Sequence, residues 1–240
     1  MFKTVIKLCN ENSGFIGVII FVTTLILGWA SGIFSALRKR PKFKIQVLPG
    51  PTLCTTYPTG NKYQNFDTHQ TAISVYLNIT NLGNAPSSID TVTLGYHRSV
   101  SSFSLNWIKY RIGWFSLEHP ITAMEEFQYE FKNRIKYYPF LLQGENADTY
   151  LKVGKSKNGI IYFEQNESWG ESFPVSHNNQ TKIRIVVHDS YGNKYKIMSN
   201  IPIVSLEDAQ KFNPSFGMTF SSLTKETKKE TRPNKSSEPT

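Results

Sequence analysis

Residues 14–37, GFIGVIIFVTTLILGWASGIFSAL, run for 24 positions without a charged side chain. No other feature limits the fold so strongly. As a helix rising about 1.5 Å per residue, the run reaches roughly 36 Å, enough for a bilayer core of about 30 Å. Five basic residues come directly after it: Arg38, Lys39, Arg40, Lys42 and Lys44. Only Lys3, Lys7 and Glu11 precede it. Lys and Arg accumulate on the cytoplasmic side of a span. The expected topology is therefore an external N-terminus, one pass through a cell inner membrane, and a cytoplasmic C-terminal domain. A secretory signal peptide is the competing reading, with Lys3 and Lys7 as its basic start. The run exceeds an h-region of about 7–15 residues, and the basic cluster behind it opposes export.

The formal net charge of +9 would suggest an anionic partner. Its distribution narrows the choice. Residues 1–44 carry +6 and residues 225–240 carry +2, which leaves +1 for residues 45–224. A nucleic-acid module would place its basic patch on the folded domain, so nucleic acid is not expected as a partner. The two cysteines, Cys9 and Cys54, lie on opposite sides of the apolar run. No disulfide can form within the domain, which favours a reducing compartment.

After the junction, apolar residues recur at every second position. Phe43, Ile45 and Val47 alternate with Lys44 and Gln46. Ile73, Val75, Leu77 and Ile79 alternate with Ser74, Tyr76 and Asn78, which predicts a half-buried strand over 72–80. A turn cluster at 81–86 leads into a strand over 89–96, and residues 160–164 predict another. Residues 182–198 predict a hairpin, with Ile183, Ile185 and Val187 on one face and a turn over 189–193. Many short strands and few helices point to a β-sandwich.

The stretch "NITNLGNAPSSIDTVTL" resembles the strand pairs of bacterial immunoglobulin-like domains. Over residues 14–205 the chain is similar to uncharacterised bacterial single-span membrane proteins. In these a short anchor and a basic junction, here Arg40-Pro41-Lys42 beside "PKFKIQVLPGPTLC", precede such a sandwich. The resemblance implies an architecture and no activity. The expected organisation is a short segment 1–13, a transmembrane helix 14–37, a basic junction 38–44, a mainly β immunoglobulin-like sandwich 45–205, an extension 206–224 and a disordered tail 225–240.

Residues 103–142 interrupt the strand pattern. Phe103, Trp107, Ile108, Ile112 and Phe115 fall near helical spacing, and 125–135 predicts a second short helix. The insertion is thus expected to be helical. It interleaves Trp107, Tyr110, Trp114 and Phe115 with Lys109 and Arg111. Three readings stay open: contact with lipid headgroups, docking of a partner protein, and aromatics that cap the sandwich core.

Catalytic patterns are sparse. His188, Asp189 and Ser190 are consecutive at a strand end, where neighbouring side chains face opposite ways, so they read as a turn rather than a triad. His69, His97, His119, His177 and His188 are scattered without metal-ligand spacing, and Glu125-Glu126 reads as a solvated pair. The sequence therefore reads as a non-enzymatic binding or scaffolding protein with no catalytic, cofactor or metal residues. Its expected partners are the lipid bilayer and a protein or a second copy of itself, with no small-molecule substrate. The residues expected to meet the membrane interface or a partner are Arg38, Lys39, Arg40, Lys42, Trp107, Lys109, Tyr110, Arg111, Trp114 and Phe115. The alternative is an extracytoplasmic receptor or envelope subunit with the same fold facing outward.

Overall fold

The structure is a computed structural model and describes residues 13–32, 39–99, 105, 108, 112–121, 125–132, 134–142 and 148–219. The chain divides into two compact units, Met1–Arg40 and Pro41–Thr240.

In the first unit, helix α1 spans Ser13–Ala30 and contains no acidic or basic residue and no buried one. It is long and apolar enough to cross a membrane. Its two threonine hydroxyls are satisfied inside the helix: Thr23 Oγ1 donates to the Ile19 carbonyl at 2.7 Å and Thr24 Oγ1 to the Ile20 carbonyl at 2.8 Å. Such i−4 bonding reduces the cost of placing hydroxyls among apolar side chains. Gly32, with φ 74°, comes after the last turn, its N–H donating to the Trp29 carbonyl. A left-handed residue there favours glycine. Residues 33–37 of the expected span lie outside the described residues.

The second unit is mainly β, with antiparallel sheets. Its first sheet is organised by β3 (Phe66–Asn81), 16 residues long. Along its length β3 pairs with β1 (Phe43–Val47), β2 (Leu53–Tyr63), β9 (Ser156–Glu164) and β10 (Ser168–Trp169). The second sheet runs β12 (Lys194–Pro202), β11 (Gln180–Asp189), β4 (Ser87–Tyr96), β5 (Phe115–Leu117), with β8 (Tyr150–Leu151) also paired to β4. One core joins the two sheets. Ile73, Val75, Leu77 and Ile79 of β3 pack in it with Leu94 and Tyr96 of β4 and Ile183, Ile185 and Val187 of β11.

The other face of β3 is covered as well, so the half-buried strand expected from the alternation is instead buried on both sides over its middle: Ala72 and Ser74 are inaccessible. The cover is a second cluster of Leu53, Phe127, Tyr138, Tyr162, Ala209 and Phe216. Phe127 meets Phe140, Tyr162 and Phe216 edge-on, at centroid distances of 5.8, 5.7 and 6.0 Å. Phe127 and Tyr138 come from a hairpin of β6 (Phe127–Phe131) and β7 (Arg134–Tyr138). Ala209 belongs to the short helix α2 (Leu206–Gln210), capped by Ser205, whose hydroxyl accepts from the Asp208 N–H.

That hairpin corrects the helix expected over 125–135. Aromatic and β-branched residues favour strands when a partner strand and a buried face are supplied. Here Phe127 stands opposite Tyr138, both are buried, and the turn passes through Lys132 at φ 48°. Phe115, expected on a helical face, stands in β5. The expected C-terminal extension packs into the second cluster through Phe216. The expected tail, 225–240, lies outside the described residues.

Two substitutions test this packing by thermal denaturation. A Cβ at Gly159 would lie 2.5 Å from Leu141 Cα and 2.6 Å from Leu141 N, both backbone atoms. Gly159→Ala should destabilise by about 1–3 kcal/mol, as overpacking does, lowering Tm by roughly 2–4 °C per kcal/mol. Phe127→Ala should cost about 3–5 kcal/mol, the range for deleting a buried phenyl ring. An unchanged Tm in either would contradict the packing described.

Candidate functional site

The outer face of the second sheet gathers four cations from two neighbouring strands. Alternation sets it up. Ile183, Ile185 and Val187 point into the core, so Lys182, Arg184 and Val186 point out. On β12, Ile201 is buried, which turns Lys194, Lys196, Met198 and Asn200 outward. The register places Lys182 opposite Asn200, Arg184 opposite Met198, Val186 opposite Lys196 and His188 opposite Lys194. Lys182, Lys194 and Lys196 are exposed and Arg184 is half-buried. Among the described residues none of these four cations is ion-paired. The sheet's acids do not neutralise them. Asp189 is buried in its own turn, accepting from the Tyr191 and Asn193 N–H groups and from the Tyr195 hydroxyl. Asp90 stands at the bulge opposite Asp189, at the Lys194 end of the face, with β11 between it and β12.

An aromatic platform borders the cations. Arg184 lies opposite Gly95, and Gly95 opposite Ser116 of β5. The missing side chain at Gly95 admits the Trp114 ring, which would lie 3.5 Å from a Cβ there. The Arg184 guanidinium carbon sits 4.9 Å above the Trp114 ring centroid, a cation–π contact. The His97 ring packs on Trp114 at 4.1 Å. His97 Nδ1 is 2.8 Å from the Gly113 carbonyl oxygen, which can only accept, so Nδ1 carries the proton and donates. Next to His97 the surface sinks into a cleft of about 480 Å³, whose lining includes His177, Asn178, Gln180, Lys182 and Asn200 and, among the described residues, no carboxylate.

Trp114 and Phe115 are thus neighbours with opposite fates. Trp114 faces outward. Phe115 turns inward, edge-on to Tyr96 at 5.4 Å, with the Arg98 guanidinium 3.5 Å from its own ring centroid. Phe115 takes part in core packing. Of the other residues expected at an interface, Arg38, Trp107, Lys109, Tyr110 and Arg111 lie outside the described residues. Lys39 and Arg40 are exposed. Lys42 is exposed, but its backbone is fixed to the β unit: its N–H donates to Asn81 Oδ1 at 3.3 Å and its carbonyl accepts from the Leu82 N–H at 2.8 Å. Lys182, Arg184, Lys194 and Lys196 are not among the residues expected from the sequence. A signal for them exists in the hairpin pattern, because fixing Ile183, Ile185 and Val187 inside puts the even-numbered cations outside.

A second cleft, of about 470 Å³, includes Glu164, Gln165 and Ser168 in its lining, and their polar groups are held by hydrogen bonds. Tyr96 donates its hydroxyl to Gln165 Oε1, and Gln165 Nε2 donates to Ser168 Oγ at 2.5 Å. Buried Glu164 accepts from the Tyr162 hydroxyl and from the Thr219 N–H, while Gly217 N–H donates to the Tyr162 oxygen at 2.7 Å. Burial, and after it the Glu164 charge, pushes the Tyr162 phenol up and keeps it neutral. This network ties residues 215–219 to β9. Among the described residues no three His, Cys, Asp or Glu side chains converge as metal ligands.

Cys54 is 1% exposed and unpaired, and burial pushes its thiol up to about 12. The thiolate is then scarce at neutral pH, and the native protein should leave Cys54 unreactive toward maleimides until it unfolds. Reaction in the native state would contradict the burial. Trp114→Ala should cost about 0.5–2 kcal/mol, the worth of the cation–π contact, and Phe115→Ala should cost more because it opens the core. Chemical denaturation of the two variants checks the order.

No family model matches this chain, and no curated protein matches it. Among solved structures it is similar to the ApaA protein from Bordetella pertussis, at 9% identity over 69% of this chain and 96% of that one, with a TM-score of 0.30. It is also similar to a β-glucosidase involved in saponin metabolism from intestinal bacteria, at 10% identity over 68% of this chain and 16% of that one, with a TM-score of 0.25. Likenesses this distant carry no argument about fold or activity.

Proposed function

We propose that this chain is a membrane-anchored binding module, in which an immunoglobulin-like sandwich is held at the cytoplasmic face of a membrane to engage a partner without catalysis. The observation that carries the reading is α1, an 18-residue helix free of charge and without a buried residue. A helix apolar all round needs lipid or a protein core around it. The length of the uncharged run, 24 residues, favours a span over a cleaved signal. The basic residues Arg38, Lys39, Arg40, Lys42 and Lys44 favour the cytoplasmic side for the β unit.

The strand order supports the immunoglobulin-like reading. One sheet runs β1, β3, β9 and the other β12, β11, β4. In sequence order these correspond to the A-B-E and G-F-C partition of that fold. The segment between β4 and β9 supplies the covering hairpin. On the outer face of β11 and β12, Arg184 and the bordering Trp114 are residue types that carry binding interfaces.

Topology tests the reading. Because Cys54 is buried, the reporter must be placed elsewhere. Met198 is 55% exposed on β12, so Met198→Cys with Cys9→Ser gives one accessible thiol on the β unit. An impermeant maleimide should label it only after cells are permeabilised. Labelling in intact cells would place the domain outside and leave the receptor or envelope reading in its place. Release of the full chain from membranes by alkaline carbonate, without detergent, would refute the anchor itself.

A further inference from the structure

We infer that the outer face of β11 and β12 is a docking surface for anionic lipid headgroups, with a lipid phosphate seated in the cleft beside His97. The inference rests on the proposed anchor and names the partner of that face. Three observations point the same way. Among the described residues, Lys182, Arg184, Lys194 and Lys196 form a cationic surface without ion pairs on one plane, and the adjoining cleft holds Lys182, Asn178, Asn200 and Gln180 but no carboxylate. These side chains can donate to phosphate oxygens. Met198, exposed, and Val186, buried but for 8%, stand among the cations and give the face a small apolar centre. Lysine stems lie along apolar surface while their ammonium groups reach outward. Trp114 stands at the border with His97 and Arg184. Trp, cations and a modest apolar patch together suit the headgroup layer, where each is favoured for its own reason.

Charge complementarity selects lipid among anionic partners. The cations form one patch of four side chains on two neighbouring strands, and not the long basic stripe that tracks a nucleic-acid backbone. A chain with its own membrane helix meets lipid phosphate at high effective concentration, where weak contacts suffice. Each cation brought to an anionic surface contributes roughly a fivefold factor in binding, so two contribute about 25-fold.

The test uses the full chain reconstituted into nanodiscs of phosphatidylcholine, alone or with phosphatidylglycerol. A fluorophore is attached at Met198→Cys in the Cys9→Ser background, and lipids carrying a headgroup quencher report contact. Quenching is expected with phosphatidylglycerol and not with phosphatidylcholine alone. Lys182→Glu with Lys196→Glu, or high salt, should abolish it. Exchanging Lys152 and Lys155, exposed elsewhere on the unit, for Glu should leave it unchanged, and circular dichroism should be the same for all variants. Equal quenching in both lipids, or quenching that survives the double replacement, would overturn the inference. So would its absence with phosphatidylglycerol, which would leave the face to an acidic protein. Co-migration of the chain with the discs reads the anchor separately: a chain that stays out of the discs refutes the anchor, whereas an inserted chain without quenching refutes only the lipid-docking face.

Discussion

The β unit depends on the pairing of β3. This strand hydrogen-bonds to β1, β2, β9 and β10. Its two faces support two separate clusters, one shared with the second sheet and one with the β6–β7 hairpin and the C-terminal residues. A strand covered on both faces keeps its backbone satisfied only if both edges are paired. The length of β3 meets that condition, because its first half takes β2 and β10, its second half takes β1, and β9 runs beside the stretch from Ala72 to Thr80. Gly159 marks how close the segment after β7 comes: residues 139–141 bridge to Ile160 along the edge of β9, with no room for a side chain at Gly159.

The parts of this arrangement that obey period two are legible in the sequence. Phe43–Val47, Ile73–Ile79 and the hairpin around Asp189 stand where their alternation places them, because one face of each lies on the core. The second layer is not legible for the same reason. Ser74 and Tyr76 look like solvent positions, and their cover includes Phe127 and Tyr138, distant residues that no local pattern connects to β3. Glu125–Ile135 misleads because its spacing fits a helix about as well as a strand, and only the Phe127–Tyr138 pairing decides between them. β2 is hidden by Pro58 and by threonines without apolar alternation. Its register shift between Pro58 and Lys62 is the structural counterpart.

The candidate site is half legible. Trp114 has the side chain of an interface residue, and the structure brings it beside Arg184 and His97 from separate segments of the chain. The lysines are invisible to a charge summed over a whole domain. A net of +1 averages acids on loops and edges with cations on one plane of one sheet. The sheet separates them geometrically, since alternation sends every second residue of β11 and β12 to the same side.

The position of those lysines has another consequence. Among the described residues β12 ends its sheet, and an unpaired strand edge invites a second chain to extend the sheet. Lys194 and Lys196 set like charges against any identical edge that approaches. On the proposed anchor, copies confined to a plane would meet far more often than in bulk solution, and this repulsion would keep them separate. Replacing the lysines with small neutral residues would therefore remove a barrier to fibre-like association, in addition to any partner they hold.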